Sequence, residues 1–352
     1  MKFFTGALLA SLANAASVEL AKRDSPIDLS LELVGNTAIK AHLTNTGSES
    51  LKVLKTGSIL DTLEVEKSDV FAGASKIDFD GVRVWVDYGA LSEESFQVLE
   101  AGETVEIEFD VAIDHDLTSG GDFTINSVGA LAYAEADSTA IAGTVSFNSN
   151  VISTHVDGEA AAKVRRDWHA QVEKRAVVQN DCTGTRRTAI VNALSNCRTL
   201  ASTAATAASS GPAARLTEFY KSSTSATRST VQGVFNRIVS ECGSSTSGAS
   251  RIYCTDIYPA CSGGVVAYAV PALAYQVYCP LWFNNYAAMT SACRGISQAG
   301  VLLHEMTHLT SIRGTQDYNC YGYNCVRSLS AAQNINHADT YMYFAQAAYA
   351  NC

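Results

Sequence analysis

The chain has 352 residues, 47% of them hydrophobic, with 25 Lys+Arg against 35 Asp+Glu and a formal net charge of −10. That length leaves room for about two domains, each able to bury a core, and a mean hydropathy of +0.04 describes a soluble globular protein. Beyond the N-terminus no stretch reaches eighteen apolar residues without a charge, which excludes a helical membrane span, and neither a membrane nor a nucleic acid is expected as partner.

In chain order, Met1 to Ala15 opens with Lys2, runs apolar through Phe3–Leu12 and ends in Ala13-Asn14-Ala15. A charged start, a short apolar run and a small-x-small end predict a secretory signal peptide over 1–15, and so an extracellular protein. There is no N-x-S/T sequon. Residues 25–150 alternate apolar and polar with period two in Ile27–Leu33, Ile39–Leu43 and Val105–Val111, and Val82–Val86 is β-branched and aromatic. With glycines between these runs, the pattern predicts an antiparallel β-sandwich. His42 and His115 fall in no recognisable site and read as surface or packing residues. Residues 151–175 are charged, with Arg165-Arg166 and Lys174-Arg175.

All ten cysteines lie between Cys182 and Cys352. An even count in a secreted chain predicts up to five disulfides. Charge divides at the same place: residues 176–352 carry 11 Lys+Arg and 7 Asp+Glu, leaving 14 and 28 for residues 1–175. The two parts are therefore different domains, read as an acidic β-rich propeptide (16–175) covering a basic, disulfide-rich domain (176–352). Lys174-Arg175, at the break, is the expected cleavage site for a processing protease, and Lys22-Arg23 a weaker one.

Past residue 176 the chain turns helical. Arg186–Ala208 is Ala/Thr-rich with apolar residues at Ile190, Val191, Leu194 and Leu200, and Ser209-Ser210-Gly211-Pro212 stops it. Ala213–Tyr220 and Ser229–Cys242 read as amphipathic helices, Tyr253–Tyr278 as a small sheet, Ser297–Leu309 as a helix, and Ser328–Asn351 as one long terminal helix. The fold class expected is α+β: a mainly helical domain with a small sheet, preceded by the β-rich region.

The chemistry is concentrated in His304-Glu305-Met306-Thr307-His308. Histidines four apart share a helix face and form half of a zinc site, and Glu305 beside them is a candidate general base. A catalytic zinc wants a third protein ligand. The pattern that adds glycine and histidine downstream fails, because this chain has Ser311 and Gly314 at those positions, and no glutamate follows Glu305. Asp317, His337 and Asp339 remain. Asp317 is favoured, because Gly314 lets the chain turn back over the metal; Asp339 reads as a hydrogen-bond partner of a ligand histidine, and His337 as a helix-surface residue.

The run His304–His308 followed by Gly314-Thr315-Gln316-Asp317 resembles the deuterolysin family of fungal zinc endopeptidases, also called neutral protease II or aspzincins. The layout of the whole chain agrees, though Tyr321-Gly322 follows Asp317 one residue later than is usual there. The resemblance implies one Zn2+ per chain on His304, His308 and Asp317, with Glu305 catalytic, and activity on proteins, favouring basic ones such as histones and protamines. It also implies disulfides Cys182–Cys254, Cys261–Cys279 and Cys293–Cys352; elimination then leaves Cys197–Cys242 and Cys320–Cys325. Tyr321 is the expected oxyanion donor, with Tyr318 as runner-up, and Trp282 a packing residue. A monomer is expected, its own propeptide the intramolecular cover. Two rivals predict different behaviour: a secreted disulfide-rich binding protein with an incidental motif holds no zinc, and a zinc amidohydrolase acting on non-peptide amides leaves casein intact.

Overall fold

The computed structural model describes residues 25–169 and 178–352. The expected signal peptide at 1–15 and the Lys22-Arg23 and Lys174-Arg175 pairs lie outside the described residues. The N-terminal region runs β1 (Ile27–Leu33), β2 (Ala38–Asn45), β3 (Leu51–Leu54), β4 (Asp69–Ala72), β5 (Ser75–Lys76), β6 (Arg83–Val86), β7 (Phe96–Leu99), β8 (Thr104–Asp110), a one-turn helix α1 (Val111–Asp114), β9 (Gly121–Asn126), β10 (Val128–Ala134), β11 (Ile141–Asn148), β12 (Ile152–Val156) and helix α2 (Gly158–His169).

Alternation sets the register of the first strands. Leu29 and Leu31 of β1 stand opposite Leu43 and Ala41 of β2, and all four are buried. A slip by one residue would carry Lys40 and His42 into the core instead, so one pairing is strongly selected. The expected sandwich has two sheets; the strands do pair antiparallel around one core that includes Ile39, Leu43, Val70 and Ile125, but in three sheets, β1-β2-β8, β11-β10-β3-β7 and β12-β9-β4-β5. β6 belongs to none of them.

The C-terminal region runs α3 (Gly184–Ser210), α4 (Ala213–Tyr220), α5 (Ser225–Glu241), β13 (Arg251–Tyr253), β14 (Val265–Val270), β15 (Tyr275–Tyr278), α6 (Pro280–Asn285), α7 (Gln298–His308), α8 (Gly322–Ser328), α9 (Ala331–Asn334) and α10 (Ala338–Ala350). Helices α3, α5, α7 and α10 share one core through Leu194, Phe235, Leu303 and Phe344. Each such side chain taken fully out of water contributes roughly 1.5–3 kcal/mol. The sheet has the order β13-β15-β14-β6, so its last strand comes from the N-terminal region. All five cysteine pairs form as expected: Cys182–Cys254, Cys197–Cys242, Cys261–Cys279, Cys293–Cys352 and Cys320–Cys325. Among the described residues no helix is long and apolar enough to cross a membrane.

The terminal helix is not continuous. A capping box between Ser330 and Gln333 starts α9, and the chain then leaves helical geometry, with His337 extended at φ −115° and ψ 124°. The break has a long-range cause. Gln316 N–H donates to Asn336 O (2.9 Å) and Ala338 N–H donates to Gln316 O (3.1 Å), so residues 336–338 pair with the segment just before Asp317.

Behind β6 sits a charged cluster. Arg83 Nη2 lies 2.9 Å from Glu66 Oε2 and Lys76 Nζ 3.0 Å from Glu66 Oε1. Burial alone would raise the Glu66 carboxyl, but Arg83 and Lys76 outweigh it and hold its pKa at about 2 against an ordinary 4.5. Because the folded value is depressed, this stabilisation is complete above about pH 4.5 and is lost as pH falls towards 2. Glu66→Gln is expected to lower stability by roughly 3 kcal/mol at neutral pH and to flatten the acid limb of the profile in that window. Denaturant unfolding between pH 2 and 7 checks it; an unchanged acid limb would count against the pairing.

Candidate metal centre

Helix α7 carries the motif through the middle of the C-terminal core. The Ser297 side chain caps it by accepting from Gly300 N–H (3.1 Å), and all eleven residues from Gln298 to His308 are buried. The helix stops at Leu309, whose carbonyl accepts from Ile312, Arg313 and Gly314 N–H. Gly314 has φ +67°, a left-handed conformation that a side chain would strain, and it reverses the chain. Thr315 N–H then reaches back to Thr307 O (3.1 Å). The reversed segment is thus held on one side by α7 and on the other by residues 336–338. Tyr318 and Asn319 follow with φ of 55° and 48°. Left-handed geometry costs non-glycine residues roughly 1–2 kcal/mol each, strain concentrated at the turn that presents Asp317.

Three side chains converge there. His304 Nε2 and His308 Nε2 lie 3.1 Å apart, Asp317 Oδ1 is 3.3 Å from His304 Nε2, and Asp317 Oδ2 is 3.3 Å from His308 Nε2. The tautomers are constrained from behind. His308 Nδ1–H donates to Thr315 O (2.9 Å), a carbonyl that can only accept, and His304 Nδ1–H donates to Asp339 Oδ1 (2.9 Å). Neutral rings so held turn two bare Nε2 lone pairs and a carboxylate towards one point, while Asp317 Oδ1 lacks a well-formed hydrogen bond. A cation satisfies all three. Tetrahedral zinc with bonds of about 2.0–2.1 Å would set its ligand atoms about 3.3 Å apart, close to the separation of the two Nε2 atoms, and each imidazole has one Asp317 oxygen at that distance.

The charges agree with that reading. Burial opposes charge on His304, yet Asp317 and Asp339 outweigh it and raise its pKa to about 10. Burial lowers that of His308. Burial also opposes ionisation of Asp317, but His308 and His304 hold its carboxyl far below the ordinary range. The donor set without a cation thus favours positive charge at its centre. Glu305, next to His304, is fully buried with neither carboxylate oxygen hydrogen-bonded. Burial, reinforced by Asp317 and Asp339, lifts its pKa to about 8.

The remaining candidates separate clearly. Asp339 stands behind His304, accepting at Oδ1 from His304 and Trp85 (3.1 Å) and at Oδ2 from Gly322 N–H (2.6 Å). His337 is buried rather than on a helix surface, its ring nitrogens at Thr340 Oγ1 (3.0 Å) and Cys320 O (3.2 Å). Tyr318 packs on His337, with ring centroids 5.9 Å apart. Tyr321 instead donates its hydroxyl to Val84 O at 2.5 Å. Trp282 is packed in the core, its Nε1–H on Gln298 O. A cavity of about 510 Å³ opens beside the site, with Asp317, Tyr318 and Tyr321 in one wall and Glu66 and Val84 in the other.

Sequence reasoning missed Trp85, whose indole stands edge-on to His304 with centroids 6.2 Å apart. The only signal was its place in a strand with imperfect alternation.

The model of the deuterolysin metalloprotease (M35) family matches residues 1–352. A neutral protease 2 homolog of Colletotrichum graminicola is 58% identical over 354 residues, covering 100% of both chains. Another, of Pyricularia oryzae, is 51% identical, again over 100% of both. A solved zinc peptidase from Grifola frondosa aligns with 47% of this chain and 96% of its own, at 24% identity and a TM-score of 0.39.

Proposed function

The chain belongs to the deuterolysin metalloprotease (M35) family, and from that premise we propose that it is a secreted zinc endopeptidase made as a zymogen. Residues 1–15 would be its signal peptide, 16–175 its propeptide and 176–352 its catalytic domain, separated by cleavage after Lys174-Arg175. The observation that carries the reading is the converging set of His304, His308 and Asp317, 3.1–3.3 Å apart, beside a buried and unpartnered Glu305.

His304, His308 and Asp317 would hold the zinc. Bound there, the ion supplies a Lewis acid for the scissile carbonyl and for water. Glu305 accepts the proton of the attacking water and passes it to the leaving amine. Asp339 fixes the His304 ring through Nδ1, and Thr315 O does the same for His308. Tyr321 donates its hydroxyl to the developing oxyanion. Basic proteins such as histones and protamines are the substrate class we favour: three of the seven acidic residues in 176–352, Glu305, Asp317 and Asp339, gather here.

The test uses the chain cut after Arg175. Metal analysis is expected to find one zinc per chain, and casein cleavage is expected to stop with chelator and return with zinc. No bound metal would leave a binding protein; zinc without casein cleavage would leave an amidohydrolase. Tyr321→Phe is expected to lower kcat by roughly 10²–10³-fold with KM little changed. Wild-type kcat in that variant, with the loss found in Tyr318→Phe, would move the role to Tyr318.

A further inference from the structure

We propose that residues Arg83–Asp87 are a tethered, substrate-like occupant of the cleft, lying along β14 as a bound peptide would and anchored by the Trp85 side chain. The inference rests on reading residues 16–175 as a propeptide over a peptidase site.

Three contacts carry it, each of a different kind. The first is backbone pairing. β6 runs antiparallel to β14, with Arg83 opposite Ala269, Val84 opposite Tyr268, Trp85 opposite Ala267 and Val86 opposite Val265. Asp87 N–H extends the ladder to Gly264 O (2.9 Å). The other side of β14 is taken by β15. Without β6, therefore, β14 is an edge strand whose open N–H and C=O groups would accept an extended peptide in the same way.

The second contact is a carbonyl. Val84 O accepts from the Tyr321 hydroxyl at 2.5 Å, so the group assigned to a substrate's oxyanion already holds a peptide carbonyl of β6. Packing of one domain on another does not require that pairing. The third is a side chain. Val84 and Val86 join the cluster that includes Tyr268 and Val265, whereas Trp85 points the other way. Among the described residues it is the one buried member of the C-terminal core cluster that comes from before residue 178. Its ring is edge-on to His304 and to Tyr286, with centroids 6.2 and 6.0 Å away, and its Nε1–H donates to Asp339 Oδ1 (3.1 Å). Asp339 is also the acceptor that orients His304. The strand therefore occupies the peptide edge, the oxyanion donor and a pocket behind a zinc ligand together.

The test uses the full-length chain carrying Lys174→Ala and Arg175→Ala, so that it stays in one piece, supplied with zinc. Hydrogen exchange is followed in residues 265–270 and, as a control, in 39–45, beside hydrolysis of a short quenched peptide. Trp85→Ala is expected to speed exchange in 265–270 and peptide hydrolysis by at least about tenfold, with 39–45 unchanged. A free peptide spelling residues 82–87 is expected to restore protection and inhibit the variant, and the same peptide with alanine for tryptophan is not. If Trp85→Ala loosens 39–45 as well, Trp85→Phe, which keeps a ring and loses the N–H, is judged by the same readouts, with a rise of about threefold expected. Protection of 265–270 and hydrolysis both unchanged in a folded variant would overturn the proposal. If 265–270 opens and the peptide re-protects it, but no form hydrolyses anything, the docked strand stands and the peptidase reading falls.

Discussion

Glu305→Gln is expected to leave the chain folded and zinc-loaded, and to lower kcat on peptides by roughly 10²–10⁴-fold, towards the upper end of what one general acid–base supplies. The substitution keeps the size and shape of the side chain and removes only its ability to take up and return a proton. Neither Glu305 oxygen bonds to His304, His308 or Asp317, so the metal donors keep their positions. Folding should not suffer either, because the carboxyl is fully buried without a hydrogen-bond partner, and an ionisable group in such a place costs stability in its charged form. Single-turnover kinetics, metal analysis and thermal unfolding on one preparation separate these expectations. Wild-type turnover would remove Glu305 from the mechanism. Loss of zinc would mean that it supports the donor set, and that the lost rate says nothing of proton transfer.

How much of this was legible beforehand differs from element to element, and the reason is locality. Helix α7 could be placed from Ser297 at its start, the apolar residues around the two histidines, and Gly314 beyond its end, all signals within a few turns of the chain. Helix α4 has the expected bounds, Ala213–Tyr220, for the same reason. Gly314 and the lack of any glutamate after Glu305 favour Asp317 over His337 and Asp339. What could not be read were pairings between distant segments. The run after Ser328 has no Pro or Gly through residues 335–337, yet the helix is interrupted there, where residues 336 and 338 bond to Gln316. The strand in Arg83–Val86 was visible, but its partner was not. Its weak alternation now has a cause: Val84, Trp85 and Val86 are all buried, which makes both faces of the strand interior faces. A strand buried on both faces in an acidic, polar region is itself a hint that another domain covers it.

The choice among Asp317, Asp339 and His337 yields the second large effect. Asp317→Ala is expected to weaken zinc binding well beyond the roughly 10–100-fold that loss of a supporting hydrogen bond costs, and so to abolish peptidase activity at ordinary zinc concentrations. Asp339→Ala is expected to stay within that smaller range, and His337→Ala to leave affinity unchanged. The ordering follows from which side of each imidazole a group occupies. Asp317 presents one oxygen to each Nε2, at 3.3 Å in both cases. Asp339 meets His304 at Nδ1, the opposite side of the ring, and cannot share a metal with Nε2 from there. The two ring nitrogens of His337 face Thr340 and Cys320, which leaves none to give. Competition with a chromogenic chelator ranks the three variants without using activity, so a slow but zinc-loaded enzyme is not mistaken for an empty one. The reverse order for Asp317 and Asp339 would mean that the metal lies on the Nδ1 face of His304, and that the turn after Gly314 shapes the cleft rather than closing the site.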